Sequence, residues 1–463
     1  MIDGAATLAR RLERYRAALP AVLPPAAIDA RDGRGAPDLA TRLAAAVDGE
    51  VVVGPEGRIV RCEVPIRSLP VDRARLATLP GQPPPDVPLV CLDTETTGLA
   101  TAAGTAAFLV GLGWWEGADR YRQVQLMLPD HGEERALLSA IEAAIPPESW
   151  LVTYNGRGFD WPLLTTRYRL ARRAAPAHAG HLDLLPIVRR LFRHRMADAR
   201  LRTAEAELLG LHRVGDVEGW EIPGRYHEFL RGGSAVPLAE VARHNDQDVR
   251  SLAWLLAHLA ERYGDAAERS AAPPGDLAGL ARSFAREHRL SEALMCLESA
   301  VDRPMGRPIR SAPSSASVTT PDDAPWWSPR RPADFGGRPE RPSVATVVPR
   351  GAALAAPWTT ERIAIDRAHL LRRLGRHRDA DEAWSALAAG PGRIAIVAAI
   401  ELAKIREHRL RDRHGALEAV THGLDAVERR RRLGRPEPAL EADLLRRSVR
   451  LRHRIGPVGL ARR

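Results

Sequence analysis

Apolar positions along the chain change period several times, and each change marks an element. Glu50-Val51-Val52-Val53 and Arg58 to Val64 flank Gly54-Pro55-Glu56-Gly57 and predict a hairpin, with a candidate helix before it around Leu12 to Leu19. Val90-Cys91-Leu92 is a short apolar run that ends in acids. Phe108 to Trp115 and Tyr121 to Leu128 predict two further strands, and Gly132 to Ile145 carries the spacing of an amphipathic helix. Trp150 to Tyr154 predicts another strand, followed by helical stretches to Leu259. Strands in succession, then a helix, a strand and more helices, predict a mixed α/β sheet rather than a repeating βαβ barrel.

After Pro273-Pro274-Gly275 the pattern predicts a helical stretch over Leu277 to Val301. Asp302 to about Pro357 is rich in Pro, Arg, Ser and Gly without apolar periodicity, which reads as a flexible linker. Helical spacing then returns. Ala368, Leu371, Leu374, Ala380, Ala383 and Trp384 form one helical hairpin, and Ile400, Leu402, Ala403, Ala416, Leu417 and Val420 form a second. Glu287-His288-Arg289-Leu290 recurs as Glu407-His408-Arg409-Leu410, so the tail reads as tetratricopeptide-like repeats or as a plain helical bundle, in either case a packing or protein-binding module. With a Pro-rich hinge at Pro80 to Pro85, the expected organisation is a lead-in over 1–87, an α/β domain over 88–265, a helical segment over 276–302, a linker over 303–356 and a helical domain over 357–463.

Composition narrows the class. At 45% hydrophobic and 27% charged residues, the 463-residue chain is not mainly disordered. Its best apolar run, Ile394 to Ile400, is bounded by Arg393 and Glu401, far short of the ~18 residues that suggest a membrane span. Prolines at 20, 24 and 25 interrupt the apolar stretch after Arg10 to Arg16, which argues against a secretory signal. Three cysteines, Cys62, Cys91 and Cys296, stand far apart without C-x-x-C spacing, so neither a disulfide framework nor a zinc ribbon is expected, and the chain suits a reducing cytoplasm. The net charge of +10 fits a polyanionic partner such as nucleic acid. In the linker, Trp326-Trp327-Ser328-Pro329-Arg330-Arg331 mixes aromatics with arginines and reads either as a stacking surface for unpaired bases or as a partner contact. No P-loop Gly-Lys-Ser/Thr occurs, and Gly111-Leu112-Gly113 misses the dinucleotide spacing.

Three motifs carry candidate chemistry. In Leu92-Asp93-Thr94-Glu95-Thr96-Thr97-Gly98, an apolar strand delivers Asp93 and Glu95 to one face, because side chains two apart on a strand point the same way. Two adjacent carboxylates repel, and oxygen-rich clusters suit Mg²⁺ or Mn²⁺. In Tyr154-Asn155-Gly156-Arg157-Gly158-Phe159-Asp160, a strand runs through a Gly-flanked turn into a helix, where Asp160 is a third acid or an N-cap. In His244-Asn245-Asp246-Gln247-Asp248, His244 and Asp248 share one helix face and Asp246 points away.

Taken in order, these motifs resemble the DEDD superfamily of 3′–5′ exonucleases, whose fold is ribonuclease H-like. The nearest pattern is the YprB-type ribonuclease H-like family, matched over about residues 88–260 by Asp93 to Gly98, Phe108 to Gly113, Tyr154-Asn155-Gly156, Phe159-Asp160, Pro162-Leu163-Leu164, His181 to Leu185 and His244-Asn245 with Asp248 and Ser251-Leu252. The resemblance implies an α/β ribonuclease H-like domain followed by an all-α helical-repeat region. It implies that Asp93, Glu95, Asp160 and Asp248 hold two divalent ions, Mg²⁺ or Mn²⁺, and that Thr96, Thr97, Gly98, Asn155, Phe159 and Asn245 contact nucleotide. His244 stands four residues before Asp248, where known subtypes have a tyrosine at four or a histidine at five, so it either activates water or positions a phosphate or a ligand carboxylate. The expected activity is 3′–5′ hydrolysis of single-stranded DNA or RNA, with a protein partner at the helical tail and no membrane. The competing readings are a scaffold that retains the fold without turnover and a structure-selective endonuclease.

Overall fold

The computed structural model describes residues 38–98, 104–301 and 360–456. The expected helix over 12–19, the linker over 303–356 and its Trp326 to Arg331 motif lie outside the described residues. Helix α1 (Leu39–Val47) precedes a hairpin of β1 (Glu50–Gly54) and β2 (Gly57–Ser68), whose tight turn brings Gly57 to φ +129°. A short helix, α2 (Arg73–Ala77), leads to β3 (Leu89–Thr96), β4 (Ala107–Glu116) and β5 (Arg120–Met127). Then come α3 (Glu134–Ala144), β6 (Trp150–Thr153), α4 (Asp160–Leu170), β7 (Gly180–Asp183) and α5 (Leu184–Phe192). The domain ends with α6 (Leu201–Ala204), a π turn over Glu205–Leu209, α7 (Ile222–Leu230) and the 28-residue α8 (Val236–Tyr263).

All strands among the described residues join one seven-stranded sheet in the order β1-β2-β5-β4-β3-β6-β7. Pairing is antiparallel from β1 to β3 and parallel from β3 through β6 to β7. The hairpin of the lead-in is part of this sheet: β2 lies along β5 from Val60 opposite Met127 to Ser68 opposite Arg120, covering what would otherwise be an open edge. Strand β7 is absent from the sequence reading because its four residues, Gly-His-Leu-Asp, carry too short an apolar signal.

The central strand explains the layering. Leu89, Val90, Cys91 and Leu92 are all buried, the continuous apolar run of a strand covered on both faces. Val90 and Leu92 join the core with α1, α3 and the first turns of α8, while Leu89 and Cys91 join the core with α5 and the later turns of α8. Helix α8 thus serves both cores, and His244 to Asp248 fall between them.

Beyond the sheet, α9 (Ala266–Ser270), α10 (Pro274–Arg286) and α11 (Leu290–Val301) continue into a helical region of α12 (Thr360–Arg373), α13 (His377–Ala388), α14 (Gly392–Ile405), α15 (Arg413–Arg432) and α16 (Pro438–Ile455). From α10 onward each helix packs on the next, and α10 also packs on α5. The two predicted helical hairpins correspond to α12 with α13 and α14 with α15. Both copies of the Glu-His-Arg-Leu echo fall at helix corners but differ in backbone: in the first His288 adopts φ +60°, and in the second a π turn over Arg406–Leu410 ends at Arg411 with φ +61°. No helix among the described residues is long and apolar enough to cross a membrane.

Candidate metal centre

The carboxyl end of β3 carries Asp93 and Glu95, both half-buried, between the buried Leu92, Thr94 and Thr96. Strand alternation therefore turns both acids to the face crossed by α8. On that helix Asn245 is fully buried, its Nδ2 donating to Asp93 Oδ2 at 2.9 Å and its Oδ1 accepting from Gln125 Nε2 at 3.0 Å. The expected nucleotide contact of Asn245 is thereby corrected, since a side chain enclosed between helix and sheet holds Asp93 and cannot reach a ligand. Asp160 is the first residue of α4 and not its cap. Its carboxylate reaches across to the strand, where Oδ1 accepts from the Thr94 hydroxyl at 2.5 Å. The loop before it is tied to β7 by Asp183, which accepts from the Asn155 amide at 2.8 Å and the Arg157 amide at 3.3 Å.

His244 closes the cluster. Its Nε2 lies 4.0 Å from Glu95 Oε1 and 3.6 Å from Asp248 Oδ2, and Glu95, His244 and Asp248 each offer a ligand atom within 4.8 Å of the others. Nδ1 is 2.6 Å from Asp216 Oδ1. Burial works against the Asp216 charge, but the bond from His244 and the charges of His244 and Arg213 outweigh it and hold the carboxyl below its usual range. An ionised carboxylate can only accept, so Nδ1 donates and the lone pair of a neutral ring sits on Nε2, facing the acids.

Charge is the dominant physical fact of the site. Burial, followed by the charges of Asp248, Asp160 and Glu95, pushes the Asp93 carboxyl well above its usual range, against the opposing bond from Asn245. Glu95 is raised by burial and then by Asp248, Asp160 and Asp216. Asp160 is pushed up to about 6 by burial, opposed by the Thr94 bond. A set of hard carboxylate oxygens and one imidazole nitrogen, buried and mutually repelling, fits a divalent ion of the Mg²⁺ or Mn²⁺ type, which would relieve the repulsion.

Of the other expected contacts, Thr96 is buried with its hydroxyl donating to the Gly98 carbonyl at 2.6 Å, so it shapes the strand end and does not face a ligand. Thr97, Gly98 and Phe159 are half-buried, and Asn155 is exposed with φ +71°. Two residues that the motifs do not mark also reach the acids. Arg213 and Asp216 come from the loop between the π turn and α7; Arg213 pairs with Asp248, Asp216 and Glu205. In sequence, Arg213-Val214-Gly215-Asp216 looks like any charged surface turn; the one signal is Glu205, an acid set among Ala204, Leu208 and Leu209.

Residues 90–260 match the RNase_H_2 family model, described as RNase_H superfamily. The chain is also 36% identical over 220 residues to the uncharacterized protein YprB of Bacillus subtilis (strain 168), an alignment covering 46% of this chain and 52% of YprB. The chain thus spans about half the length of that curated relative. Residues 90–260 thus carry a mixed sheet with flanking helices and an acid-bearing central strand, and over that span the chain is similar to the RNase_H superfamily and to YprB.

Proposed function

We propose that the protein is a divalent-metal-dependent nuclease, a 3′–5′ exonuclease acting on single-stranded DNA or RNA. The observation that carries this reading is that Asp93, Glu95, Asp160 and Asp248, from three separate segments, stand close enough for the charges of Asp160 and Asp248 to raise the pKa of Asp93 and Glu95, with Glu95 and Asp248 on the Nε2 side of His244. When bound, the ion supplies a lowered pKa for the attacking water and charge neutralisation at the leaving oxygen. The chain's own part is orientation: Asn245 fixes Asp93, Thr94 fixes Asp160, and Asp216 fixes the ring of His244 so that Nε2 can accept a proton from water. Unpaired strands are favoured as substrate by the loop that carries Arg213 and Asp216, which also presents Trp220 at 65% exposure and Val214 at 96%, an apolar surface suited to stacking on bases. The helical region from α10 onward is assigned a protein partner.

The test is digestion of 5′-labelled single-stranded and duplex DNA and RNA with Mn²⁺ or Mg²⁺, beside Asp93→Asn. A metal-dependent ladder shortening from the 3′ end, lost in the variant, is expected. Because Asp93→Asn removes one of several repelling buried charges, the variant should melt no lower than the parent without metal, so loss of cleavage is loss of chemistry. Internal cuts would turn the reading to an endonuclease, and no cleavage of any substrate would turn it to a scaffold.

A further inference from the structure

The two copies of Glu-His-Arg-Leu use their charges differently. In the first, Arg289 is engaged within the chain, Nε donating to Glu292 at 2.9 Å and Nη2 to the Thr78 carbonyl at 2.7 Å. In the second, the matching Arg409 is exposed, and its side chain makes no hydrogen bond or ion pair among the described residues. Glu407 of that copy is buried and turned toward α16, where it accepts from Arg450 Nη2 at 2.5 Å, Arg450 Nε at 3.2 Å and Arg454 Nη1 at 3.1 Å. Burial works against its charge, but the bond from Arg450 and the charges of Arg450, His408 and Arg454 hold the carboxyl below its usual range.

One ionised carboxylate thus pins two guanidiniums where the turn between α14 and α15 meets the end of α16. Arg450 and Arg454 keep 42% and 50% of their side chains exposed, so both present further N–H groups to solvent from fixed positions. Arg411, in the same turn, is exposed and unpaired like Arg409, and Arg413 reaches only a carbonyl, that of Arg454 at 3.4 Å. Arg413 is also the first residue of α15, the positive end of that helix, where a cation is disfavoured and where Asp412 alone supplies a capping oxygen. Its charge is therefore not placed for the helix. Arg406 does not add to the excess, being paired with Asp381 at 2.8 Å.

We propose that the turn carrying Arg409, Arg411 and Arg413, backed by Arg450 and Arg454, is a phosphate-backbone contact for single-stranded nucleic acid, built from none of the residues of the metal centre. The inference rests on the nuclease reading for the identity of the polyanion. Guanidinium forks match phosphate oxygens and read no sequence, so this corner would hold a strand by its backbone. An acidic protein segment is the rival occupant. It is disfavoured because the exposed apolar side chains of α16, Leu445 and Val449, lie on another face of the helix by its 3.6-residue period, so no apolar surface joins the arginines as the core of a protein interface requires.

The experiment is an anisotropy titration of a labelled single-stranded oligonucleotide with the full chain in EDTA, over roughly 50–200 mM salt. It compares the parent with the triple variant Arg409→Gln, Arg411→Gln, Arg413→Gln, whose side chains are exposed and make no ion pair. A control triple, Arg373→Gln, Arg378→Gln, Arg429→Gln, removes the same charge from exposed positions spread over α12, α13 and α15. The turn variant should bind about 10–100-fold more weakly at the low-salt end, and its plot of log affinity against log salt should be shallower by about 2, for three lost phosphate contacts. The control should stay near the parent. Equal weakening in both triples overturns the inference, because total charge and not this corner would then be acting. Unchanged binding in the turn variant also overturns it, and leaves the corner to an acidic protein segment. Because no metal is present, the result is separate from catalysis: cleavage by the parent with unchanged binding in the turn variant sinks this inference alone, whereas weakened binding in that variant without cleavage by the parent supports the contact and sinks the nuclease reading.

Discussion

Asn245 and Asp93 are joined across the helix-sheet boundary by two bonds from one amide: Nδ2 donates to Oδ2 of Asp93 at 2.9 Å and to its carbonyl oxygen at 3.3 Å. The same side chain accepts from Gln125, and Asp93, Gly111 and Gln125 lie in one row across β3, β4 and β5. A single buried amide thus sets the height of α8 over three strands and the rotamer of one carboxylate. Asn245→Ala should weaken Mn²⁺ binding by roughly 10–100-fold, the usual effect of losing the group that orients a ligand, and should cost about 1–3 kcal/mol for the unpaired buried partners. Titration calorimetry and thermal melts read both. Unchanged affinity would show that Asp93 is oriented by something else.

Gly111 makes that contact possible. A Cβ at this position would lie 2.2 Å from Asn245 Oδ1 and 2.6 Å from Val249 Cγ2, both on the helix that must lie close. Gly111→Ala is expected to lift α8 and cost about 1–3 kcal/mol, with loss of metal affinity in step. A melting temperature equal to the parent's would mean that the helix has room to spare.

These two residues show what sequence makes legible here. Asp93, Glu95 and Asp160 stand out in the sequence because each sits at the end of an element whose period is plain, His244 and Asp248 because a spacing of four puts them on one face of a helix, and all five because their order along the chain resembles a known pattern. The helical hairpins of the tail were readable for the same reason of period. Asn245, by contrast, looked like a ligand contact because its neighbours are, and only packing against Gly111 shows that it faces the sheet. The Gly111 and Gly113 pair, which misses the dinucleotide spacing, marks a close approach of α8 and Tyr121 to β4. Arg213 and Asp216 were not readable at all, since a loop's path cannot be derived from its composition and the pair acquires meaning only from Glu205, which is buried beneath it.

The raised carboxylates predict how stability depends on pH. Asp160 is pushed up to about 6 from an ordinary 3.8, with burial the largest cause, and Asp93 and Glu95 are raised in the same direction. A carboxyl with a raised folded-state pKa contributes stability that is full below its ordinary value and is lost as pH rises through the folded value. Metal-free protein should therefore melt at a lower temperature at about pH 8 than at about pH 5, and Mn²⁺ should raise the melting temperature more at the higher pH. An equal Mn²⁺ effect at both would mean that the acids do not share one strained site.

Asp216 is expected to matter through His244. It accepts from Nδ1 at 2.6 Å and so leaves Nε2 free to accept on the side of Glu95 and Asp248. Asp216→Ala removes that constraint and should lower the cleavage rate by about 10–100-fold, the range seen when a histidine loses its orienting carboxylate. Asp216→Asn, which can still accept at Nδ1, should recover part of the rate. Equal losses in both variants would point to the charge of Asp216 and not to its hold on the ring.

Trp220 tests the substrate surface separately from the chemistry. It is 65% exposed on the loop whose Arg213 and Asp216 reach the acids, and Glu218, two residues before it, anchors the loop to Arg202 at 3.3 Å. An exposed indole costs a folded chain little unless it has a surface to meet, and an unpaired base offers a π face of matching size. Trp220→Ala should weaken binding of a single-stranded oligonucleotide, measured in Ca²⁺ to hold cleavage back, by about 1–3 kcal/mol for one lost stacked base. Mn²⁺ affinity should not change, because Trp220 touches none of the acids. Duplex binding should fall less than single-strand binding, as paired bases present no free face. Parallel losses on both substrates would instead make the loop a general backbone contact, and no loss on either would place the strand on another side of the site.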